Sequence, residues 1–579
     1  MKLKINEKMG TYLGIILLLM ITLVIFQYTA EIREPWFGEL SYSNNHIDHS
    51  EWLTGSTVKY TKNWYNEGPL NLKFALLENP KSVEFPTLSS REPYTSYPPG
   101  TIIPIYAASE LLGQEPTPGL VMEYNLLNHF FISFLLGILI FLFLRKQLRF
   151  DLVNSFLFSI TPIVLELLLP GPLYWFQNVF FSDQAVILPF VLYIFLEVIK
   201  DGIKMDTTKN SRNLTVLNIF QNIVLFYGFL TDWFFIFIAL TIYTKRLLDG
   251  EIFFTRKMFW NKDIYHFIKE SLKYWISPLI AICLFAIQVT LVGGVSQTIS
   301  RALVRTSISN NGSETPLKEL TLFLGHVSNN YGTVAVTLII VSLLFFILMF
   351  IYLSFGGFKS HKNVFKIKKT IYLMGMLLVP CIIQLIVFSN HSYVHDFSVL
   401  KLSIPLSIIP FVLLPITIFL LVEEYVNKKI KLYNGFKVHI NLFLLLIFLI
   451  SFTAASIYIF DEHPHYKAMF PPINDNYVIL GTSIANDTGY NDIVFSPDFQ
   501  IPTNPPQLLS YSMKRVYKVN STAEIEEDVK GLNTSYNIVI VFLNPPNGDW
   551  IKIVGNTTPI IDKNIYYYRF KSNNFLGST

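Results

Sequence analysis

Cysteine is nearly absent from this chain of 579 residues, which has only Cys283 and Cys381. Both stand inside apolar runs, so the sequence offers neither a disulfide framework nor a cysteine-based zinc site. Charge is scarce as well. Asp, Glu, Lys and Arg make up 15% of the residues, where a soluble globular chain carries about 25%, which speaks against a purely soluble protein. No clear small-x-small site precedes Glu31, so the first apolar run reads as an uncleaved anchor rather than a removed signal. What the chain has instead is apolar sequence: 51% of residues are hydrophobic and 15% aromatic. These gather in long runs, the mark of a polytopic membrane protein. The net charge of +4 reflects orientation in the bilayer and does not imply nucleic acid as a partner.

Windows able to cross about 30 Å of hydrocarbon predict eleven helices, near residues 11–28, 121–144, 152–169, 184–199, 215–230, 233–244, 275–292, 333–353, 371–388, 400–422 and 438–460. With Lys2, Lys4 and Lys8 in the cytoplasm, six inner segments hold 26 Lys and Arg. The segment from Pro170 to Asp183 has none and that from Lys359 to Lys369 has five, in keeping with the positive-inside rule. The sequons at Asn311, Asn486, Asn520, Asn533 and Asn556 then all fall outside, a distribution compatible with that topology. The expected fold is mainly α, a transmembrane helical bundle of about eleven spans with a small C-terminal extracytoplasmic α/β domain. Residues 1–29 form an anchor helix, 30–120 a first external loop with interfacial helices, 121–460 the transmembrane region and 461–579 the α/β domain. The expected location is a cell membrane, crossed many times, with a cytoplasmic N-terminus.

The C-terminal stretch alternates β-rich runs at 491–495, 514–519, 537–543 and 564–570 with one helix that opens at Ser521 or Thr522 and ends near Gly531. It shows no Gly-rich phosphate loop, nucleophile elbow or metal-ligand spacing, which assigns it an accessory role.

Ionisable groups at membrane level are costly and usually functional, and here they collect on the outer side. The first loop carries NNHIDHSEW, with His46, Asp48, His49 and Glu51, and further on Arg91. A carboxylate beside histidines and aromatics suits proton abstraction from an acceptor hydroxyl, although any single acid in so long a loop can equally be a solvated residue. SYPPG, at Ser96–Gly100, fixes a turn before the short apolar run IIPIYAASELLG, which reads as an interfacial helix with Tyr94, Tyr97 and Tyr106 at headgroup level. Asp183 stands in FFSDQAV just before the fourth span, and Asp232 repeats the arrangement before the sixth. Helix capping accounts for either one as well as a functional role does. SNHSYVHDFSVLKLSIP brings His391, His395, Asp396 and Lys401 to the outer ends of the ninth and tenth spans. HxxxHD lacks a third metal ligand, so hydrogen bonding or phosphate contact by His395 and Lys401 is the better reading. Arg301 and Arg305, four apart in SRALVRTS, suit an anionic headgroup or a diphosphate.

In their order and common sidedness, IDHSEW, SYPPGTIIPIY, FSDQAVILPF and VHDFSVLKLSIP resemble the C-type membrane glycosyltransferases that use polyprenyl-phosphate-linked sugars, including protein O-mannosyltransferases and lipid A aminoarabinose transferases. The resemblance covers the membrane region to about residue 460. It implies a polyprenyl- or dolichyl-phosphate sugar as donor, an external protein, glycan or lipid acceptor, and displacement at the anomeric carbon with inversion. Asp48, Glu51 and Asp183 become the catalytic candidates, and His46, His49, Arg91, Tyr97, Arg301, Arg305, His391, His395, Asp396 and Lys401 the substrate-binding ones. Asp48-His49 replaces the Asp-Glu of many relatives, which leaves Asp48, Glu51 and Glu39 open as the base. No metal site is indicated, and a divalent ion stays open. A polymerase or ligase of lipid-linked glycans would place its large loop late in the chain, and a transporter would show repeated halves and more acids within the spans.

Overall fold

The computed structural model describes residues 7–33, 51–205, 211–252, 263–306, 316–354, 362–429, 436–462, 476–498, 501, 505–530, 532, 535–555 and 557–575. Glu39, His46, Asp48 and His49 lie outside the described residues, as do the sequons at Asn311, Asn533 and Asn556.

All eleven predicted windows fall on helices. Among the described residues eight helices are long and apolar enough to cross a membrane on their own. A ninth crossing is a broken one, where Leu152–Leu168 and Pro170–Asn178 meet at 59°. Pro170 forces the break: the preceding Leu169 is driven to extended backbone, with φ −65° and ψ 139°, because the proline ring disfavours helical geometry before it. The second piece was expected to be an uncharged outer loop. It is instead a buried helix, with Tyr174, Trp175 and Phe176 at most 2% exposed. Asn125 holds its C-terminal end through bonds to the Trp175 and Val179 carbonyls at 3.1 and 2.8 Å.

The remaining two helices, Ile187–Met205 and Phe234–Leu248, are respectively too charged and too short to cross hydrocarbon unaided. Packing inside the bundle compensates, because their charges meet each other. Glu197 receives Lys245 at 2.9 Å and Arg246 at 2.8 Å, and Asp201 receives Lys245 at 2.8 Å. The other mid-span acid, Glu166, accepts from Ser403 and Ser407 at 3.1 and 3.2 Å. Both acids are thus satisfied internally, as a low-dielectric interior requires. The trio Asp201, Asp249 and Glu251 is close enough to hold a metal ion, but Lys245, Lys369 and Lys204 already supply its counter-charges.

The first loop folds around a helix, Glu51–Glu67, and a two-residue ladder in which β1 (Leu76–Leu77) pairs with β2 (Pro93–Tyr94) antiparallel. The C-terminal sheet comprises β3 (Asp492–Ser496), β4 (Val516–Lys518), β5 (Asn537–Phe542), β6 (Ile560–Asp562) and β7 (Ile565–Lys571), in the order β4-β3-β5-β7-β6. The four predicted strands are all present; β6 and four helices, at Asn476–Asp487, Pro506–Ser512, Asp549–Val554 and Ser572–Phe575, were not foreseen. β3 lies parallel to β4 and β5, while β7 is antiparallel to β5 and β6. The central strand reads NIVIVF with no polar alternation because both faces are covered. Ile538 and Ile540 pack towards Ile525 and Val554, and Val539 and Val541 towards Leu480 and Ile484.

This sheet region sits directly on the first loop. A Cβ on Gly55 would lie 2.7 Å from the Gln507 backbone nitrogen, so only glycine permits the contact between the Glu51–Glu67 and Pro506–Ser512 helices. Val83 donates to the Tyr490 carbonyl at 3.3 Å, and Arg515 donates to Asn79 at 3.3 Å.

Candidate active site

The tenth span opens as a tight 3-10 helix, Asp396–Leu402, which passes into helix at Ser403 and again loosens at Ile409–Leu413, where Pro410 cannot donate. The opening coil drives Lys401 inward, and the lysine is 1% exposed. Its ammonium contacts one Asp183 oxygen directly and lies 3.6 Å from Asp232. Both acids are likewise 1% exposed. Asp183 therefore works through its side chain and not as a simple helix cap. Asp232 does both: one oxygen accepts from the Phe234 backbone at 2.7 Å, while the other has no hydrogen bond.

Burial alone would raise the Asp183 carboxyl, but the Lys401 ammonium and then His391 outweigh it and hold the group below the usual carboxylate range. Asp232 moves the other way. Burial raises it, Lys401 only partly offsets that, and the Asp183 charge adds to the rise. One ammonium thus serves two carboxylates unequally.

Above this cluster sits the SYPPG turn. Gly100 approaches the Ser211–Thr231 helix so closely that a Cβ would meet the Leu230 carbonyl oxygen at 2.3 Å. Tyr227 donates to the Gly100 carbonyl at 3.2 Å and Trp233 to the Ser96 carbonyl at 2.9 Å. The turn is thereby fixed against Asp232, and Tyr97 is carried inward to 6% exposure. Its hydroxyl lies 3.4 Å from His391 Nε2. His391 stands 4.7 Å from the His395 ring, which stacks on Phe397 at 4.8 Å. Burial pushes His391 well below the usual imidazole value and lowers His395 too, so both rings are neutral near pH 7.

The two arginines come from a helix that sequence reading did not foresee, Val295–Arg305. Ile299, Leu303 and Val304 on its outer face are exposed, the pattern of a helix lying at a membrane interface. Its other face covers the turn. Arg305 stacks over Tyr97 at 4.2 Å and donates to the Ser96 carbonyl at 3.1 Å, while Arg301 stacks over Tyr94 at 5.0 Å and donates to Ser96 Oγ at 3.3 Å. The remaining Arg305 N–H groups have no partner among the described residues, so they are available to an anion.

Asp183, Tyr97, Arg301, Arg305, His391, His395 and Lys401 are thus gathered at one end of the bundle from five separate segments. Asp396 opens the 3-10 turn, and its carbonyl accepts from Asn330 at 3.3 Å. Arg91 is occupied elsewhere: its guanidinium binds Asn79 O at 2.9 Å, Glu67 at 2.8 Å and Asn63 at 2.8 Å. It braces the first loop. Glu51 opens the Glu51–Glu67 helix. Two residues lacked a place among the sequence candidates. Asp232 had been noted only as a capping twin of Asp183, and Glu78, which binds Lys59 and Tyr60 at 2.6 Å each, carried no signal. Through Tyr60, which stacks on Tyr94 at 5.7 Å, Glu78 ties the first loop to the arginine helix.

No protein-family model matches this chain, and no curated protein sequence does. Solved structures do. The ArnT of Cupriavidus metallidurans bound to undecaprenyl phosphate aligns with a TM-score of 0.52 at 10% identity, over 96% of this chain and 97% of that one. The Archaeoglobus fulgidus oligosaccharyltransferase in its apo form aligns with a TM-score of 0.50 at 11% identity, over 93% of this chain and 70% of that one. The chain therefore shares the polytopic helical fold of these two structures.

Proposed function

We propose that this protein is a membrane glycosyltransferase that moves a sugar from a polyprenyl-phosphate-linked donor to an acceptor at the extracytoplasmic face, with inversion at the anomeric carbon. The observation that carries this reading is the Asp183–Lys401–Asp232 cluster roofed by Tyr97, His391 and Arg305, set in a C-type bundle. The basic segments at the other end of the helices support a cytoplasmic N-terminus, which puts the cluster outside.

In the proposed reaction the acceptor oxygen bonds to the anomeric carbon as the bond from that carbon to the phosphate oxygen breaks. The acceptor's proton passes to a carboxylate, and the lipid phosphate leaves with the electron pair. Asp183 suits this proton poorly, because Lys401 holds it ionised and lowers its basicity. Asp48 suits it better, with Glu51 as the nearest alternative. Thr54 accepts from the Phe180 backbone N–H at 3.0 Å and Thr57 donates to the Phe180 carbonyl at 2.9 Å, tying the first turns of the Glu51–Glu67 helix beside the short connection that leads to Asp183. Asp48 precedes Glu51 by three residues, about 10 Å of chain at most. The remaining N–H groups of Arg305, with Arg301, would neutralise the leaving phosphate, and the neutral His395 ring would hydrogen-bond to it. Asp183 and Asp232 fix the Lys401 ammonium as a rigid floor.

The test is to incubate membranes containing the protein with radiolabelled polyprenyl-phosphate sugars and to follow label into endogenous acceptors. Transfer that disappears in Asp48→Asn and in Arg305→Ala supports the reading, and the absence of transfer from every such donor sinks it.

A further inference from the structure

The end of the bundle away from Asp183 holds a second chamber. Lys200 follows Asp183 by 17 residues along nearly continuous helix, or about 26 Å at the helical rise. A cavity of about 500 Å³ opens there between the Ile187–Met205, Ser211–Thr231 and Asp263–Leu291 helices, with Lys200, Asn218, Ile219, Arg246 and Ile276 in its wall.

The charges around it are matched, with one exception. Arg246 is bound to Glu197 at 2.8 Å, Glu251 to Lys204 at 2.5 Å and Glu270 to Lys273 at 2.5 Å. Lys200 is 6% exposed, yet its ammonium has no hydrogen bond and no ion pair among the described residues. Glu197 and Glu251 attract it from a distance, Arg246 and Lys204 repel it, and a buried cation with no direct partner is costly; a ligand that supplies an anion in contact removes that cost. The Asn218 side-chain amide, also without a hydrogen bond among the described residues, offers a donor at the rim. Ile219 and Ile276 line the cavity and are at the same time 55% and 53% exposed on the outer faces of their helices. The chamber therefore opens onto the surface that faces hydrocarbon.

We infer that this cavity binds a phosphate group, carried by a membrane lipid, with Lys200 as its counter-ion and the lipid tails lying along Ile219 and Ile276. Basic chambers between spans near the cytoplasmic leaflet are suited to anionic headgroups. The site is separate from the Asp183 cluster, and its test needs no transfer assay, so failure here leaves the glycosyltransferase reading untouched.

The protein is purified into detergent with phosphatidylglycerol, with phosphatidylcholine, or with inorganic phosphate alone, and bound lipid and Tm are measured. Phosphatidylglycerol should be retained and raise Tm. Lys200→Gln should lower that retention by about tenfold, the scale of one lost charge-assisted bond. Asn218→Trp, which fills the mouth and leaves the lysine in place, should lower it too, separating occupancy from folding. Inorganic phosphate raising Tm as strongly as the lipid, with loss in Lys200→Gln, would assign the site to a free phosphate. Equal retention of phosphatidylglycerol and phosphatidylcholine, or retention unchanged in both variants, would overturn the inference.

Discussion

Lys401 and Asp183 touch across 218 residues of sequence, each 1% exposed, and this contact closes the end of the bundle where the arginines converge. Asp232 shares the same ammonium from 3.6 Å. The arrangement is a small ionic lattice built from the starts of the fourth, sixth and tenth spans.

Removing the lysine leaves two buried carboxylates without a counter-charge. Lys401→Met should destabilise the protein by about 3–5 kcal/mol and abolish transfer. Adding Asp183→Asn to Lys401→Met should recover part of that stability, since one of the stranded charges is gone. Thermal unfolding of the single and double variants in the same detergent decides it; a double variant no more stable than the single one would contradict the pairing.

Proton abstraction is expected to rest on Asp48. Asp48→Asn should reduce the transfer rate by about 10²–10⁴-fold while binding of the donor lipid is retained. Glu51→Gln should be far milder. The reverse ranking, measured with saturating donor, would move the base to Glu51.

His391 is buried in its neutral form beside Tyr97. Its folded-state pKa lies well below the unfolded value of about 6.5, so between those two values the unfolded state binds the extra proton. Stability should fall as pH drops below about 6.5 and should level off only beneath the folded-state value. In His391→Gln this part of the pH dependence should flatten. Unfolding curves from pH 7.5 to pH 5 that superimpose in shape for the two proteins would refute it.

Gly55 sets how closely the C-terminal sheet region approaches the first loop. Gly55→Val must push the Gln507 backbone away, at a cost of about 1–3 kcal/mol. Because Asp48 lies seven residues before this contact, transfer should weaken as well. Limited proteolysis between the spans and the sheet region, faster in the variant, reports the loosened seam.

Much of the fold was legible because its signals are local. Runs of some twenty apolar residues mark the spans whether they face lipid or protein, and NIVIVF marks a strand covered on both sides. The Glu51–Glu67 helix was missed because it is buried on every side from Leu53 to Trp64, polar Thr57, Lys59 and Asn63 included, so no apolar stripe marks a helical period. Pro170–Asn178 was taken for a loop because two prolines and a glycine mask a helix that begins at a proline. At the site, residue types were readable but partnerships were not. Nothing near Lys401 in sequence announces Asp183 or Asp232, since tertiary packing alone brings them together. Arg91 shows the converse: a loop arginine suited to a phosphate is instead spent on three bonds within its own loop.

The break at Leu169–Pro170 also decides what stands behind the histidines. By turning the chain 59°, it sets Trp175 edge-on to Phe397 at 6.0 Å, the ring on which His395 stacks. The same indole donates to Asn330 at 2.5 Å, and Asn330 in turn donates to the Asp396 carbonyl at 3.3 Å. A proline after the third span thereby buttresses the start of the tenth.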